Sequence, residues 1–432
     1  MAADGPEGPE LVYAPRSVGT AVAYLRGLRP ELPARVWVVV AGGAISSLGN
    51  GFVMPYGSIY LHVVRGLAIP VVGAILSLSA LAALLVSVAG GSLIDRISPK
   101  ALIVAGLCLQ TAGFAYLGFV TNVLQAATAM IVIGLGAGCF FPAVSALLAA
   151  ITTRAERASA AALQYAANNL GIGLGAILGG VIVATSRPST FTTLYLIDAA
   201  TFVAFALMAV LLVPSGRHRA TSHERTGYRV VVRDLRFMAV VAFNGVVVMS
   251  AYAQVDSAVP LYARVFLAVP TTAIGLILAA NTGFIVLAQL PIARAVRRLR
   301  RTQTMALSGA VWAAAWLIGE VASLERGLAA AVWLGLFAVV FGAGECLLSS
   351  VIGPLVADLA PPAARGRYMA TFNLSWSVGL FIGPSVGGLL VGSFLRSSMW
   401  MIWAFVSGGL VLWARLLGRH LPEAVNVPPP AS

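Results

Sequence analysis

Three acids interrupt stretches of sequence that are otherwise free of charge: Asp198, Asp256 and Glu345. A carboxylate inside a membrane span costs about 2.5 to 3.5 kcal/mol on insertion scales, so such a residue is a functional hypothesis by default. It must either find a partner or take up a proton. Alternating between those states is the chemistry of proton coupling, in which a proton is accepted on one side of a bilayer and released on the other. Asp256 is expected in the outer half of its helix, suited to receive the proton. Glu345 is expected past the middle toward the cytoplasm, suited to release it. Asp198 falls near an outer helix end, where an acid reads first as a packing or interfacial group. By spacing, Met249, Tyr252, Asp256 and Pro260 share one helical face. Arg264 is an alternative partner for Asp256, as Arg365 or Arg367 is for Glu345.

Signals of catalysis are missing. The sequence has no Gly-rich phosphate loop ending in Lys-Ser/Thr, no His-Glu-x-x-His and no nucleophile elbow. His62, His218, His223 and His420 are expected in loops or tails, and Cys108, Cys139 and Cys346 lie unpaired in apolar stretches. Neither an enzyme, a metal site nor a cofactor is expected, and a proton gradient is the energy source that fits.

The elements that must position the acids follow from composition. Of the 432 residues, 59% are hydrophobic and 10% are charged. Soluble domains carry about 25% charged residues, so this chain cannot cover a water-facing surface. Soluble enzymes, disulfide scaffolds, fibrous and disordered chains are excluded. The formal charge of +13 is spread in short groups between apolar stretches, whereas a nucleic-acid binder gathers its charge on one face. The first 30 residues lack a signal-peptide core. The apolar runs are too long for barrel strands and suit helices of about 20 residues. Twelve helices are predicted, at 36–62, 70–94, 101–120, 123–151, 158–185, 192–213, 237–263, 271–293, 302–321, 327–356, 366–393 and 397–417.

Basic residues set the expected orientation. With a cytoplasmic N-terminus, the inner segments hold 23 of the 28 basic residues, and the outer loops hold Arg65, Arg187, Arg264, Arg326 and Arg396. The tails 1–35 and 418–432 and an Arg-rich linker at 214–236 are then all cytoplasmic. The linker divides six helices (36–213) from six (237–417). The halves are related: shifted by 208 positions, Arg157, Gly171, Gly175, Gly179 and Gly180 fall on Arg365, Gly379, Gly383, Gly387 and Gly388, and Gly134 and Gly136 on Gly342 and Gly344. Near the start of each half the shift is 202, where Tyr60 meets Tyr262 and Gly73 meets Gly275. A repeat of this kind is expected to place a site between the halves near the bilayer midplane.

Several motifs carry a family resemblance. The second helix ends in GGSLIDRISPK, where Gly91, Asp95, Arg96 and Lys100 resemble the loop 2–3 signature of the major facilitator superfamily, with Ser98 and Pro99 in place of its Gly and first basic residue. Helix 11 carries GPSVGG, similar to the antiporter signature of that superfamily's helix 5, whereas helix 5 of this chain has Ala176 at the proline position. Residues 342–372, with Glu345, Pro354, Asp358, Pro361, Arg365, Gly366 and Tyr368 in order, resemble helices 10 and 11 of multidrug-type members, and LGNGFVMPYGSIYL resembles their first helix. Met130 stands where many such exporters have a helix 4 arginine. The resemblance spans residues 36–417.

It implies an all-α membrane protein with two pseudo-symmetric six-helix bundles, acting as a monomer in the inner membrane. Its partners would be lipid, protons and a small molecule. The activity implied is proton-coupled efflux of drug-like or amphiphilic compounds by alternating access. An exporter of a siderophore, natural product or sugar, or a non-transporting sensor or lipid-handling protein, are the alternatives. Asp95 and Arg96 are expected to meet Arg365 or Arg367 in an inner gate. The expected cavity residues are Asn50, Tyr56, Tyr60, Phe140, Phe141, Tyr165, Asn168, Tyr252, Phe372, Asn373 and Trp376. Aromatics with few charges suit amphiphilic or cationic organic compounds.

Overall fold

The computed structural model describes residues 32–94, 97–153, 156–212, 229–361 and 364–427. Among them are twelve helices long and apolar enough to cross a membrane. In chain order these are α1 (Ala34–Val64), α2 (Ile69–Ile94), α3 (Pro99–Leu117), α4 (Val123–Ile151), α5 (Glu156–Ile182) and α6 (Pro188–Leu212). The second half contributes α7 (Leu235–Val265), α8 (Thr271–Arg298), α9 (Arg301–Ala322), α10 (Gly327–Leu359), α11 (Arg365–Val391) and α12 (Phe394–His420). Short polar residues start several of them. Ser98 accepts from Ala101 N with Pro99 at the first helical position, Asn122 accepts from Gln125 N, and Asp234 accepts from Phe237 N, which satisfies donors the helix itself leaves free. His62 and His420, expected outside the helices, lie in the last turns of α1 and α12, because both spans run on past their apolar cores.

The helix pairs repeat. In the first half α1 packs on α5 and α6, α2 on α4, and α3 on α4 and α6; in the second, α7 packs on α11 and α12, α8 on α10, and α9 on α10 and α12. The main contacts between the halves are α2 with α11 and α5 with α8, and the irregular stretch of α1 also touches α7 and α8. The second half is bound internally by a cluster of fully buried aromatics, including Trp312, Trp316 and Trp400. Odd-numbered helices begin on the side of the membrane that carries 229–234, called here the linker side; the opposite side is the far side.

The equivalent helices α1 and α7 are both irregular toward the far side. In α1 a 3₁₀ turn at Met54–Tyr56, with Pro55, is followed by a π turn at Tyr60–Val64. In α7 a π turn at Val248–Tyr252 precedes a break at Ser257, where φ is −128° and ψ −63°. Backbone of this kind is tolerated at membrane depth where it is buried in protein or lines a cavity.

Most of the linker, 214–228, lies outside the described residues. Its described end forms a short helix, Arg229–Arg233, with Val231 buried. Part of the C-terminal tail is docked. Arg301, 6% exposed, donates to Asp358 Oδ2 at 2.6 Å and to Val425 O at 2.9 Å, and Asn426 Oδ1 accepts from Thr302 N at 3.0 Å. A buried guanidinium needs acceptors, and residues 425 and 358 supply them.

Candidate functional site

A cavity of about 320 Å³ opens between the halves, walled chiefly by α1, α2 and α4 and completed by α7 and α11. Its lining is apolar apart from a few groups, among them Asn50, Ser79, Tyr195, Ser257 and Asp256; Asp256 is the one charged residue of that lining. Asp256 sits at the irregular stretch of α7, one residue before the break at Ser257. That irregularity corrects the single face expected for Met249, Tyr252, Asp256 and Pro260. Met249 faces a groove shared with α11, Asp256 faces the cavity, and Pro260 packs among residues of α8 and α10. The π turn at Val248–Tyr252 inserts an extra residue into the helical period, so spacing by 3.6 fails across it.

Tyr252 leans instead on an aromatic wall, with its ring 4.8 Å from Trp376 and 6.1 Å from Trp312. Glu345 of α10 is half-buried and accepts from Asn281 Nδ2 at 2.9 Å, while the same amide reaches Ala338 O at 3.1 Å. Among the described residues Glu345 takes an amide of α8, and Arg264 gives Nη2 to Thr185 Oγ1 at 2.8 Å. Asp256, Tyr252 and Tyr165 all lie within electrostatic reach of Glu345. Asp256 and Glu345 thus share one electrostatic region, which extends to Tyr165 of the first half.

Asp198 is apart. It is fully buried on α6 against Gly49 of α1, where a Cβ would strike its Oδ1. Neither carboxylate oxygen has a hydrogen-bond partner among the described residues, and Thr201 Oγ1 donates to its backbone carbonyl. Tyr195, one helical turn earlier, does line the cavity.

The other expected cavity residues divide. Asn50 and Phe141 line the cavity, and Met130 does too, so no arginine stands in that wall. Phe140 is buried behind Phe141 with its ring against Phe205. Tyr165 and Asn373 are exposed on the linker-side halves of α5 and α11. Asn168 accepts from Gln164 Nε2 at 2.8 Å, next to Gly43 of α1. Tyr56, Tyr60 and Phe372 are buried in the core rather than facing the cavity. The Tyr60 hydroxyl lies 3.0 Å from Leu117 O and accepts from Arg65 Nε at 2.9 Å. A buried phenol takes the nearest backbone acceptor, and for both tyrosines this fastens helices together. In the expected gate, Asp95 and Arg96 lie outside the described residues. Gly91 falls near the linker-side end of α2, Lys100 donates to Val210 O at 2.8 Å, and Arg365 and Arg367 occupy the first turn of α11.

Two further polar residues are not among those the sequence singled out. Besides Asn281, Gln254 is fully buried and donates to Met249 O at 2.7 Å and Gly383 O at 2.9 Å, bridging the π turn of α7 to α11. An uncharged amide in a membrane helix was the available signal, because each such amide must find a partner.

Hydrogen bonds between described residues of the two halves lie toward the far side. In the α2·α11 seam, Ser77 Oγ meets Ser385 Oγ at 2.9 Å and Ser385 N at 3.1 Å. At the α5·α8 seam, Tyr56 Oη of α1 reaches across to Thr271 O at 3.3 Å while it donates to Ala176 O of its own half at 3.0 Å, and Thr271 Oγ1 donates across to Val183 O at 3.0 Å. Glycines bring the backbones together: a Cβ on Gly73 would collide with Pro384 O, and one on Gly275 with Ala176 O. The halves are closed on the far side.

Known proteins give the same architecture. The 5-aminolevulinic acid complex of a POT family transporter superposes with a TM-score of 0.75 at 13% identity, covering 90% of this chain and 96% of that one. The nucleoside transporter NupG superposes with a TM-score of 0.68 at 14% identity, covering 90% and 100%. In sequence, the MFS-type transporter YqjV of Bacillus subtilis is 26% identical over 389 residues, 86% of this chain and 90% of its own length. The multidrug resistance protein MdtH of Aeromonas hydrophila is 28% identical over 379 residues, 85% and 90%. The family model described as Major Facilitator Superfamily matches residues 39–270 and 257–432. This chain is therefore a multi-pass membrane transporter, not an enzyme, and belongs to the Major Facilitator Superfamily.

Proposed function

We propose that this transporter is a proton-coupled exporter of amphiphilic, drug-like compounds. The observation that carries the reading is Asp256: the one charged residue in the wall of a largely apolar cavity, with Glu345 within electrostatic reach. Apolar walls with one ionisable group suit organic cations. A cation and a proton compete for the same carboxylate, and exclusion of one by the other is what antiport requires. The similarity to MdtH supports this substrate class.

The arginine bias assigns the linker side and both tails to the cytoplasm of the cell membrane, so the closed far side corresponds to an inward-facing state. Substrate enters from the cytoplasm, reaches Asp256 and displaces its proton. The far side then opens, substrate leaves, and an outside proton resets the acid. During that step the linker side closes, with Asp95 and Arg96, which lie between α2 and α3 in sequence, meeting Arg365 or Arg367. Glu345, held by Asn281, relays the proton inward.

Proteoliposomes with an imposed pH gradient and a fluorescent lipophilic cation test this. Asp256→Asn is expected to abolish accumulation against a gradient while downhill exchange persists, and Glu345→Gln to slow accumulation severalfold. If both variants accumulate the dye as well as the parent, neither acid couples transport to protons. Asp95→Asn with unchanged kinetics would remove the gate from the scheme.

A further inference from the structure

On the linker side, well away from the cavity, a groove of about 530 Å³ runs between the start of α9 and the end of α12. Its mouth carries Arg300, Arg415 and Arg419, and its floor is Leu307, Ala310 and Val411. Val411, Arg415 and Arg419 follow one another at four-residue spacing on a single face of α12. All three arginines are exposed. Glu423 pairs with Arg300 at 3.2 Å, whereas Arg415 and Arg419 have no acid partner among the described residues. From Arg419 to Val411 the groove descends about 12 Å along the helix. Leu307 and Ala310 are exposed along that floor.

Guanidinium groups at the membrane surface, two of them without an acid partner among the described residues, continuous with an apolar floor that descends into the hydrocarbon, match one kind of molecule. We propose that this groove holds a phospholipid with an anionic headgroup. Its phosphodiester sits on Arg415 and Arg419, with Arg300 beside them, and one acyl chain lies along Leu307, Ala310 and Val411. A basic recess between membrane helices is complementary to such a headgroup in charge, and guanidinium is the side chain best shaped for phosphate oxygens. A free phosphate would use the arginines but leave the apolar floor without an occupant, so the floor selects the lipid. The site also touches the docked C-terminal segment through Asn426, which places a bound lipid against the contact that fastens residues 425 and 426 to α9.

The test uses the purified full-length chain in neutral detergent, titrated with phosphatidylglycerol or with phosphatidylcholine of the same acyl chains and read by native mass spectrometry. Phosphatidylglycerol is expected to be retained and phosphatidylcholine to wash out. Arg415→Gln with Arg419→Gln should weaken phosphatidylglycerol by about 25-fold, from about 5-fold for each guanidinium removed. Arg415→Lys with Arg419→Lys should keep most of the affinity. Arg297→Gln with Arg298→Gln, exposed on the same side but outside the groove, should behave as the parent. Tryptophan-monitored unfolding of each variant shows that the fold is retained. Equal retention of the two lipids, or full binding by the double glutamine variant, would overturn the proposal. Displacement of the lipid by millimolar inorganic phosphate would assign the arginines to a free anion and overturn it as well.

Discussion

The two seams that close the far side are built alike in backbone and differently in side chains. In one, Gly73 of α2 lies against Pro384 O of α11; in the other, Gly275 of α8 lies against Ala176 O of α5. The residues correspond through the internal repeat, since 73 and 275 differ by 202 and 176 and 384 by 208. The polar ties do not correspond. Tyr56, which fastens the α5·α8 seam, has Ala258 as its repeat partner, and Ser77 and Ser385, which tie the α2·α11 seam, correspond to Ala279 and Ile177. Close helix approach has one solution, a missing Cβ facing a carbonyl, so both copies of the repeat keep it. A hydrogen bond across the contact has many solutions, and each seam has its own.

The largest effects should come from filling the shared feature. Gly73→Leu and Gly275→Leu each force a side chain into backbone that has no room to retreat. Overpacking costs about 1 to 3 kcal/mol, which shifts the closed population by about 5- to 150-fold. The readout is labelling of Ser257→Cys by an impermeant maleimide from the far side, in a chain whose three cysteines are replaced; Ser257 is 6% exposed. Both variants should label much faster than the parent. If only one does, the seams are not equivalent in backbone.

The next effect separates the seams. Tyr56→Phe keeps the ring and removes the hydroxyl from Ala176 O and Thr271 O. A net hydrogen bond is worth about 1 kcal/mol, and the Tyr56 proton is shared with Ala176 O of its own half, so labelling should rise about 3-fold. Ser77→Ala should do less, about 2-fold, because the remaining Ser385 hydroxyl can rotate to another acceptor. A larger rise for Ser77→Ala than for Tyr56→Phe would reverse the ranking of the two latches and make the α2·α11 seam the stronger.

Hydropathy and charge alone determine a great deal here. Twelve spans, their order and the repeat are all legible, because a bilayer demands long apolar helices and a duplicated fold duplicates its glycines. The acids Asp256 and Glu345 stand out for the same reason: a charge is conspicuous where nearly every neighbour is apolar. What each acid faces was decided only in three dimensions. The π turn at Val248–Tyr252 removes the periodicity that spacing arguments assume, so Asp256 turns toward the cavity while Met249 and Pro260 turn elsewhere. Glu345 finds Asn281, 64 positions away, in place of an arginine. Tyr56 and Tyr60, aromatic and near the cavity helices by sequence, turn out to fasten helices, because a buried hydroxyl takes whichever carbonyl packing brings within reach. The chain's pattern sets which residues enter the membrane. Partners are set by the contacts between helices, which join residues far apart in sequence and leave no local pattern by which to read them.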